Sequence, residues 1–147
     1  EFVMRIRTYL ASSLFILLLA SSSPSAAFQA SGWKQQGPEF HAEKFLDQLV
    51  AGKVEEAFKT LMGDEKTDTV IELKRDLEKQ YEKHGNPLGY ELIFKQRVGN
   101  SLIRLRYLLL FPKMPKTFDI YYYNPDGEGW DLRTFTYGRD IKSAFAQ

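Results

Sequence analysis

The feature that most constrains the fold is a change of hydrophobic period at Gly85. Before this glycine, apolar residues recur every three or four positions, a spacing typical of amphipathic helices. After it, apolar and polar residues alternate, as in half-buried strands. Short turns separate the predicted strands, and short turns join antiparallel neighbours. The sequence therefore predicts an α+β domain in which three helices pack against one face of a four-stranded antiparallel sheet.

The three predicted helices span residues 39–51, 54–62 and 67–84. Each carries one apolar stripe, for example Phe45, Leu46 and Leu49 in the first. The third can be capped by Thr67 or Asp68. Glycines follow the first and third helices, at the position where a left-handed residue ends a helix.

The four predicted strands span roughly residues 90–98, 101–111, 117–123 and 130–137. Gly99-Asn100 predicts a two-residue hairpin turn. In the first strand, Tyr90, Leu92, Phe94 and Val98 are expected to point toward the helices. Glu91, Lys95 and Arg97 are expected to point away from them.

The N-terminal segment predicts an export signal. Residues 1–3 precede Met4 and are interpreted as a cloning scar or a misplaced start. Residues 4–27 combine two arginines, an apolar run of about a dozen residues and a small-residue tail, and cleavage is expected after Ala27. The run is shorter than the roughly 20 residues that span a bilayer, so no stable membrane anchor is expected after cleavage. The predicted location is periplasmic or secreted.

The rest of the chain after the predicted signal divides into a flexible lead (28–38), one α+β domain (39–138) and a tail (139–147).

The 147-residue sequence contains no cysteine, which excludes disulfides, thiolate zinc sites and cysteine nucleophiles within it. A formal net charge of +1 is too small to indicate a nucleic-acid-binding surface. The residues predict no cofactor and no metal. Asn124 to Gly129 begins like a calcium loop, but Phe135 stands where a bidentate carboxylate is required.

Three stretches resemble the NTF2-like superfamily, the cystatin-like α+β cone. They are AEKFLDQLVAGKVEEAFKTL at 42–61, NPLGYEL at 86–92 and DGEGWDLRTFTY at 126–137. The chain looks like a small exported bacterial member of uncharacterised function. The resemblance implies that the helices pack into the concave face of a curved sheet. The superfamily includes isomerases, cyclases, transport factors and binding domains. No tyrosine–aspartate arrangement here matches its steroid isomerases, so no catalytic residue is predicted.

Two groups of residues are candidates for binding. An aromatic set expected to point inward would line a ligand pocket between the sheet and the helices, or would simply fill the core. It comprises Tyr81, Tyr90, Phe94, Tyr122 and Trp130. A second set, expected on the opposite face of the sheet, would form a self-association interface, or only a solvated surface. It comprises Arg97, Arg104, Arg106, Tyr121, Tyr123 and Arg133.

These patterns favour an exported, non-catalytic domain that binds a small apolar ligand or assembles with a protein, with a homodimer as the expected partnership. The alternative is a small isomerase or cyclase that uses a tyrosine hydroxyl and a carboxylate inside the cone. A third reading is a structural subunit with a filled core. His41 and His84 lack the partner and orienting group that a general base needs. His41 precedes Phe45 by one turn and could border a pocket.

Overall fold

A computed structural model describes residues 33–138 and 141–145. The predicted signal peptide, its cleavage site and residues 28–32 of the predicted lead lie outside these ranges. A short helical segment, Trp33–Gln36, falls within the predicted lead. The three main helices are α1 (Pro38–Val50), α2 (Val54–Met62) and α3 (Asp68–His84). They match the predicted segments closely.

The ends of the helices follow from local chemistry. Thr67 caps α3, because its side-chain oxygen accepts a hydrogen bond from the backbone N–H of Val70 at 3.3 Å. Gly52 follows α1 and has φ of +77°, a conformation that side chains rarely tolerate. Gly85 ends α3 with φ of +76°, and its N–H donates to the carbonyl of Tyr81 at 2.8 Å.

The sheet is an antiparallel meander in the order β1-β2-β3-β4. Its strands are β1 (Tyr90–Val98), β2 (Leu102–Leu110), β3 (Pro115–Tyr123) and β4 (Asp131–Gly138). The predicted α+β class is confirmed, with three N-terminal helices and a four-stranded antiparallel sheet. The sheet is not strongly curled, so the predicted cone stays a prediction. A 3-10 helix, Ile141–Phe145, lies in the predicted tail and contacts β3 and β4.

The core lies between the helices and one face of the sheet. Phe45 of α1 packs edge-on against Phe58 of α2 and Phe118 of β3, with ring centroids 5.3 Å and 5.6 Å apart. Such pairs add about 0.5–1.5 kcal/mol to the stabilisation from area burial. The sheet contributes alternate residues of its two central strands, Ile103, Leu105, Tyr107, Leu109, Phe118, Ile120 and Tyr122.

A β-bulge in β1 overturns part of the predicted alternation. Leu92 lies opposite Tyr107, on the helix side, whereas Phe94 lies opposite Arg106, on the other side. The extra residue between them, Ile93, reverses the faces of the residues that follow. Phe94 was therefore assigned to the wrong face.

The same reversal affects the rest of the strand. Val98 lies opposite Leu102 and turns away from the helices, contrary to prediction, while Lys95 and Arg97 turn toward the helix side. Lys95 confirms this placement by bonding to Glu39 of α1. The sheet surface turned away from the helices is named the outer face. Its residues used below are Glu91, Phe94, Val98, Leu102, Arg104, Arg106, Asp119, Tyr121, Tyr123 and Arg133.

The helices leave most of β1 uncovered, although Glu39 and Asp47 of α1 bond to Lys95 and Tyr90 of this strand. Every residue from Glu91 to Val98 is exposed. β2 and β3 carry most of the buried sheet residues. β1 is therefore an edge strand that extends beyond the helical layer.

Candidate functional site

An arginine–aspartate cluster lies at the centre of the outer face. Arg104 donates from Nε to Asp119 Oδ1 at 2.8 Å. Arg106 donates from Nε to both carboxylate oxygens, at 2.9 and 3.1 Å. The residues are adjacent because register places Asp119 directly opposite Arg106, with Arg104 two positions along β2. One carboxylate thus holds two guanidinium groups.

The cluster is largely withdrawn from water. Arg106 is 6% exposed and Asp119 is 9% exposed. Burial alone would raise the pKa of the Asp119 carboxyl, but hydrogen bonds from Arg106 and Arg104 outweigh it and hold that pKa below its ordinary value. The bond to Asp119 raises the pKa of Arg104. Two guanidinium groups therefore share one carboxylate, and the cluster carries one net positive charge.

Aromatic rings lie beside the arginines of the outer face. The Arg104 guanidinium lies 5.3 Å from the Phe94 ring centroid and 5.7 Å from that of Tyr121. The Arg133 guanidinium lies 5.6 Å from the Tyr123 ring. These distances fall within the range of cation–π attraction.

The structure brings together five of the six predicted interface residues. Arg104, Arg106, Tyr121, Tyr123 and Arg133 share the outer face. Arg97 does not, because the bulge turns it to the helix side, where its guanidinium lies 5.8 Å from the Trp130 ring.

The predicted ligand-binding tyrosines do not converge on one point. Tyr81 donates its hydroxyl to the backbone carbonyl of Leu49. Tyr90 donates to Asp47 Oδ1 at 2.9 Å, and Tyr122 bonds to His41 at 2.9 Å. Each hydroxyl thus meets a different position of α1.

Burial raises the pKa of all three tyrosines, that of Tyr90 to about 12, with Asp47 adding to the shift. Trp130 is half-buried against the core, and Phe94 lies on the outer face. Ligand binding by these five residues stays a prediction.

His41 forms the floor of a cleft between α1, α2 and the start of β4. The cleft encloses about 520 Å³. The ring is held at both nitrogens, with Thr60 O 2.9 Å from Nε2 and Tyr122 Oη 2.9 Å from Nδ1. A carbonyl can only accept, so Nε2 carries the hydrogen and Tyr122 donates to Nδ1. Burial lowers the pKa of His41, although the bond to Thr60 opposes the shift, so the ring is neutral.

Only one residue of this cleft carries a signal in the sequence. His41 lies four residues before Phe45 in the apolar stripe of α1, which predicts that it borders the interior. No spacing places Thr60 of α2 or Tyr122 of β3 beside it, because both contacts depend on tertiary packing. Lys44 and Lys59, which also line the cleft, look like ordinary exposed helix residues in the sequence.

A row of carboxylates on α1 faces β1 and β2. Glu39 bonds to Lys95, Glu43 accepts from the Tyr107 hydroxyl at 3.5 Å, and Asp47 accepts from Tyr90. The acids recur every four residues and therefore lie on one side of the helix. Two of these bonds join a tyrosine to a carboxylate, Tyr107 to Glu43 and Tyr90 to Asp47. Both carboxylates are exposed.

Within residues 33–138 and 141–145, no group of three or more potential metal ligands comes together. The loop that resembles a calcium site is closed by local bonds instead. Asn124 Oδ1 accepts from the N–H of Gly127 at 2.8 Å, and Asp126 Oδ1 accepts from that of Glu128 at 3.0 Å. No helix in the described part of the chain is both long and apolar enough to cross a bilayer.

Comparisons of the chain with protein-family models, curated proteins and solved structures find no match. The resemblance to the NTF2-like superfamily therefore stays a prediction from the sequence.

Proposed function

We propose that the protein is an exported, non-catalytic assembly domain of NTF2-like architecture that binds a second copy of itself through the outer face. The observation that carries this proposal is the composition of that face. It joins arginine and tyrosine side chains with exposed apolar residues. Tyrosine and arginine are enriched in protein interfaces, and apolar residues supply the buried contact area.

The apolar contribution comes from the β1–β2 end of the outer face. Phe94, Val98, Leu102 and Tyr123 are each at least 37% exposed, with Val98 at 57%. Three residues, Gly99 to Ser101, join β1 to β2 in place of the predicted two-residue turn, so Val98 and Leu102 are neighbours across the hairpin. A grouping of exposed apolar residues beside a polar cluster is typical of a contact surface.

The charges on the outer face permit a self-complementary contact. Asp119 offsets part of the charge of Arg104 and Arg106, while Glu91 and Arg133 lie on opposite edge strands. A face that carries both signs can oppose a copy of itself without uniform repulsion. A twofold interface requires this self-complementarity.

Edge-to-edge pairing of β1 is the less favourable mode of association. A bulge interrupts this edge between Leu92 and Phe94, and Lys95 and Arg97 follow it. Bulges and charged side chains both discourage a second strand from pairing with an exposed edge. Association through the outer face avoids this obstacle.

The test is the mass in solution of Val98→Glu, measured by size-exclusion chromatography with light scattering. Wild type is expected to be a dimer and Val98→Glu a monomer, because the substitution buries a carboxylate in an apolar contact. Ile71→Glu is the matched control, since Ile71 is 46% exposed on α3 rather than on the sheet. It is expected to leave the dimer intact.

A monomeric wild type at all accessible concentrations contradicts the proposal. So does a dimer that survives Val98→Glu, or one that Ile71→Glu disrupts equally. Arg106→Glu is expected to give monomers as well. It also breaks a buried ion pair, so circular dichroism must show that this variant is folded.

The alternative of a small isomerase or cyclase depends on a tyrosine and a carboxylate acting together. Tyr90 and Asp47 are 2.9 Å apart, which is close enough for proton transfer. Asp47 is exposed to water, however, and catalytic carboxylates are usually activated by burial. The pair is better explained as a hydrogen bond that ties β1 to α1.

A further inference from the structure

We propose that the His41 cleft binds a small organic monocarboxylate with an apolar body, such as a medium-chain fatty acid anion. None of the outer-face residues named above lines this site, and the proposal does not depend on the oligomeric state. It also differs from the predicted aromatic pocket, because none of the five predicted ligand residues lines it.

The size and walls of the cleft suit a molecule of this kind. A volume of about 520 Å³ falls within the range of about 300–1,000 Å³ typical of ligand pockets. Phe40, Leu61, Met62 and Leu132 form the apolar part of the lining. Phe40 is 45% exposed, although a phenyl ring is usually better covered. An alkyl chain lying against it would remove this apolar surface from water.

The charges of the cleft favour an anionic head group. Lys44 of α1 and Lys59 of α2 both line it, and neither forms an ion pair within the described part of the chain. The acidic lining residues are Glu65 and Asp131. Asp131 is already bonded to Lys34 at 2.5 Å, and this bond lowers the pKa of Asp131. One positive charge remains in excess, which matches a monocarboxylate.

His41 shapes the site without donating to the ligand. Its Nε2 hydrogen is directed to the Thr60 carbonyl, and its Nδ1 accepts from Tyr122. The neutral ring therefore forms a fixed wall. The head group is expected to meet the two lysines at the exposed side of the cleft.

The test is isothermal titration of the purified protein with four probes. Octanoate is expected to bind saturably, and octanol, which has the same chain without the charge, at least about tenfold more weakly. Octyltrimethylammonium and inorganic phosphate are expected to show no saturable binding, since one carries the opposite charge and the other lacks an apolar body.

Charge reversals locate the site. Lys44→Glu and Lys59→Glu are each expected to weaken octanoate binding by about fivefold or more, as removal of a partly screened ion pair would. Lys79→Glu is the matched control, because Lys79 is an exposed lysine of α3 that does not line the cleft. Phe40→Ala is expected to weaken octanoate and octanol by the same factor.

Several results overturn the proposal. These are the absence of saturable octanoate binding, equal affinity for octanol, phosphate binding as tight as octanoate binding, or an equal loss in Lys79→Glu. Val98→Glu separates this proposal from the proposed assembly function. It should become monomeric and still bind octanoate with wild-type affinity.

Discussion

The strands β1 and β3 have equal length and opposite environments. Each contains nine residues, and each was predicted as an alternating, half-buried strand. Six residues of β3 are buried, Lys116, Thr117, Phe118, Asp119, Ile120 and Tyr122, whereas β1 has none. The difference arises from position, because β3 lies under the helices between β2 and β4, and β1 lies at the uncovered edge.

This contrast separates the strands that stabilise the domain from the strand that lies exposed at its edge. The buried strands hold the helices on one side and the arginine–aspartate cluster on the other, so they determine stability. β1 contributes little to the core and presents apolar side chains to solvent, as the proposed assembly through the outer face requires.

Two phenylalanines provide the most direct comparison in stability. Phe118 in β3 is 0% exposed and packs on Phe45, whereas Phe94 in β1 is 37% exposed beside Arg104. Phe118→Ala is expected to lower the free energy of unfolding by roughly 3–5 kcal/mol, because it leaves a cavity. Phe94→Ala is expected to cost about 1 kcal/mol or less, because it removes one cation–π contact and partial burial. Urea denaturation measures both, and equal losses would contradict the division.

Asp119 and Glu91 provide the corresponding comparison between carboxylates. Asp119→Ala leaves two guanidinium groups without their shared partner and is expected to cost about 3 kcal/mol. Glu91→Ala removes an exposed carboxylate of β1 and is expected to change stability by less than about 0.5 kcal/mol. If Asp119→Ala proves neutral in thermal unfolding, the cluster does not stabilise the sheet.

His41 links β3 to α1 and makes stability depend on pH. Its pKa in the folded state is lowered from the ordinary 6.5, chiefly by burial. The unfolded chain therefore takes up this proton first, so the free energy of unfolding should fall as pH drops below 6.5. Asp119 acts in a separate, lower window, and its contribution is lost as pH falls below 3.8 toward its lowered pKa.

Replacing His41 allows the pH effect to be assigned. Thermal melts at pH 7.5 and pH 5 should show a loss of stability in wild type that is reduced in His41→Gln. An unchanged difference in His41→Gln would assign the effect to other groups.

Much of the fold could be predicted because its signals are local. Helical periodicity, the cap at Thr67 and the glycine at position 85 placed α3 almost to the residue. The alternation after Gly85 placed all four strands. These features depend on backbone preferences and on solvation of neighbouring residues, which a single sequence contains.

The rest depended on contacts between distant residues. The bulge at Ile93 follows from pairing with β2, and it moved Phe94 and Arg97 to unexpected faces. The clustering of Asp119 with two arginines follows from the register of β2 and β3. The enclosure of His41 needs three elements to meet. None of these arrangements has a fixed spacing along the chain.

Native-state hydrogen exchange tests the division between β1 and β3 most directly. We expect the hydrogen-bonded amides of β3 to exchange only through global unfolding, with protection equal to the full stability of the domain. Those of β1 that bond to β2 should exchange through local opening, with clearly lower protection. Equal protection in the two strands would show that β1 is an integral part of the core, and would contradict the account.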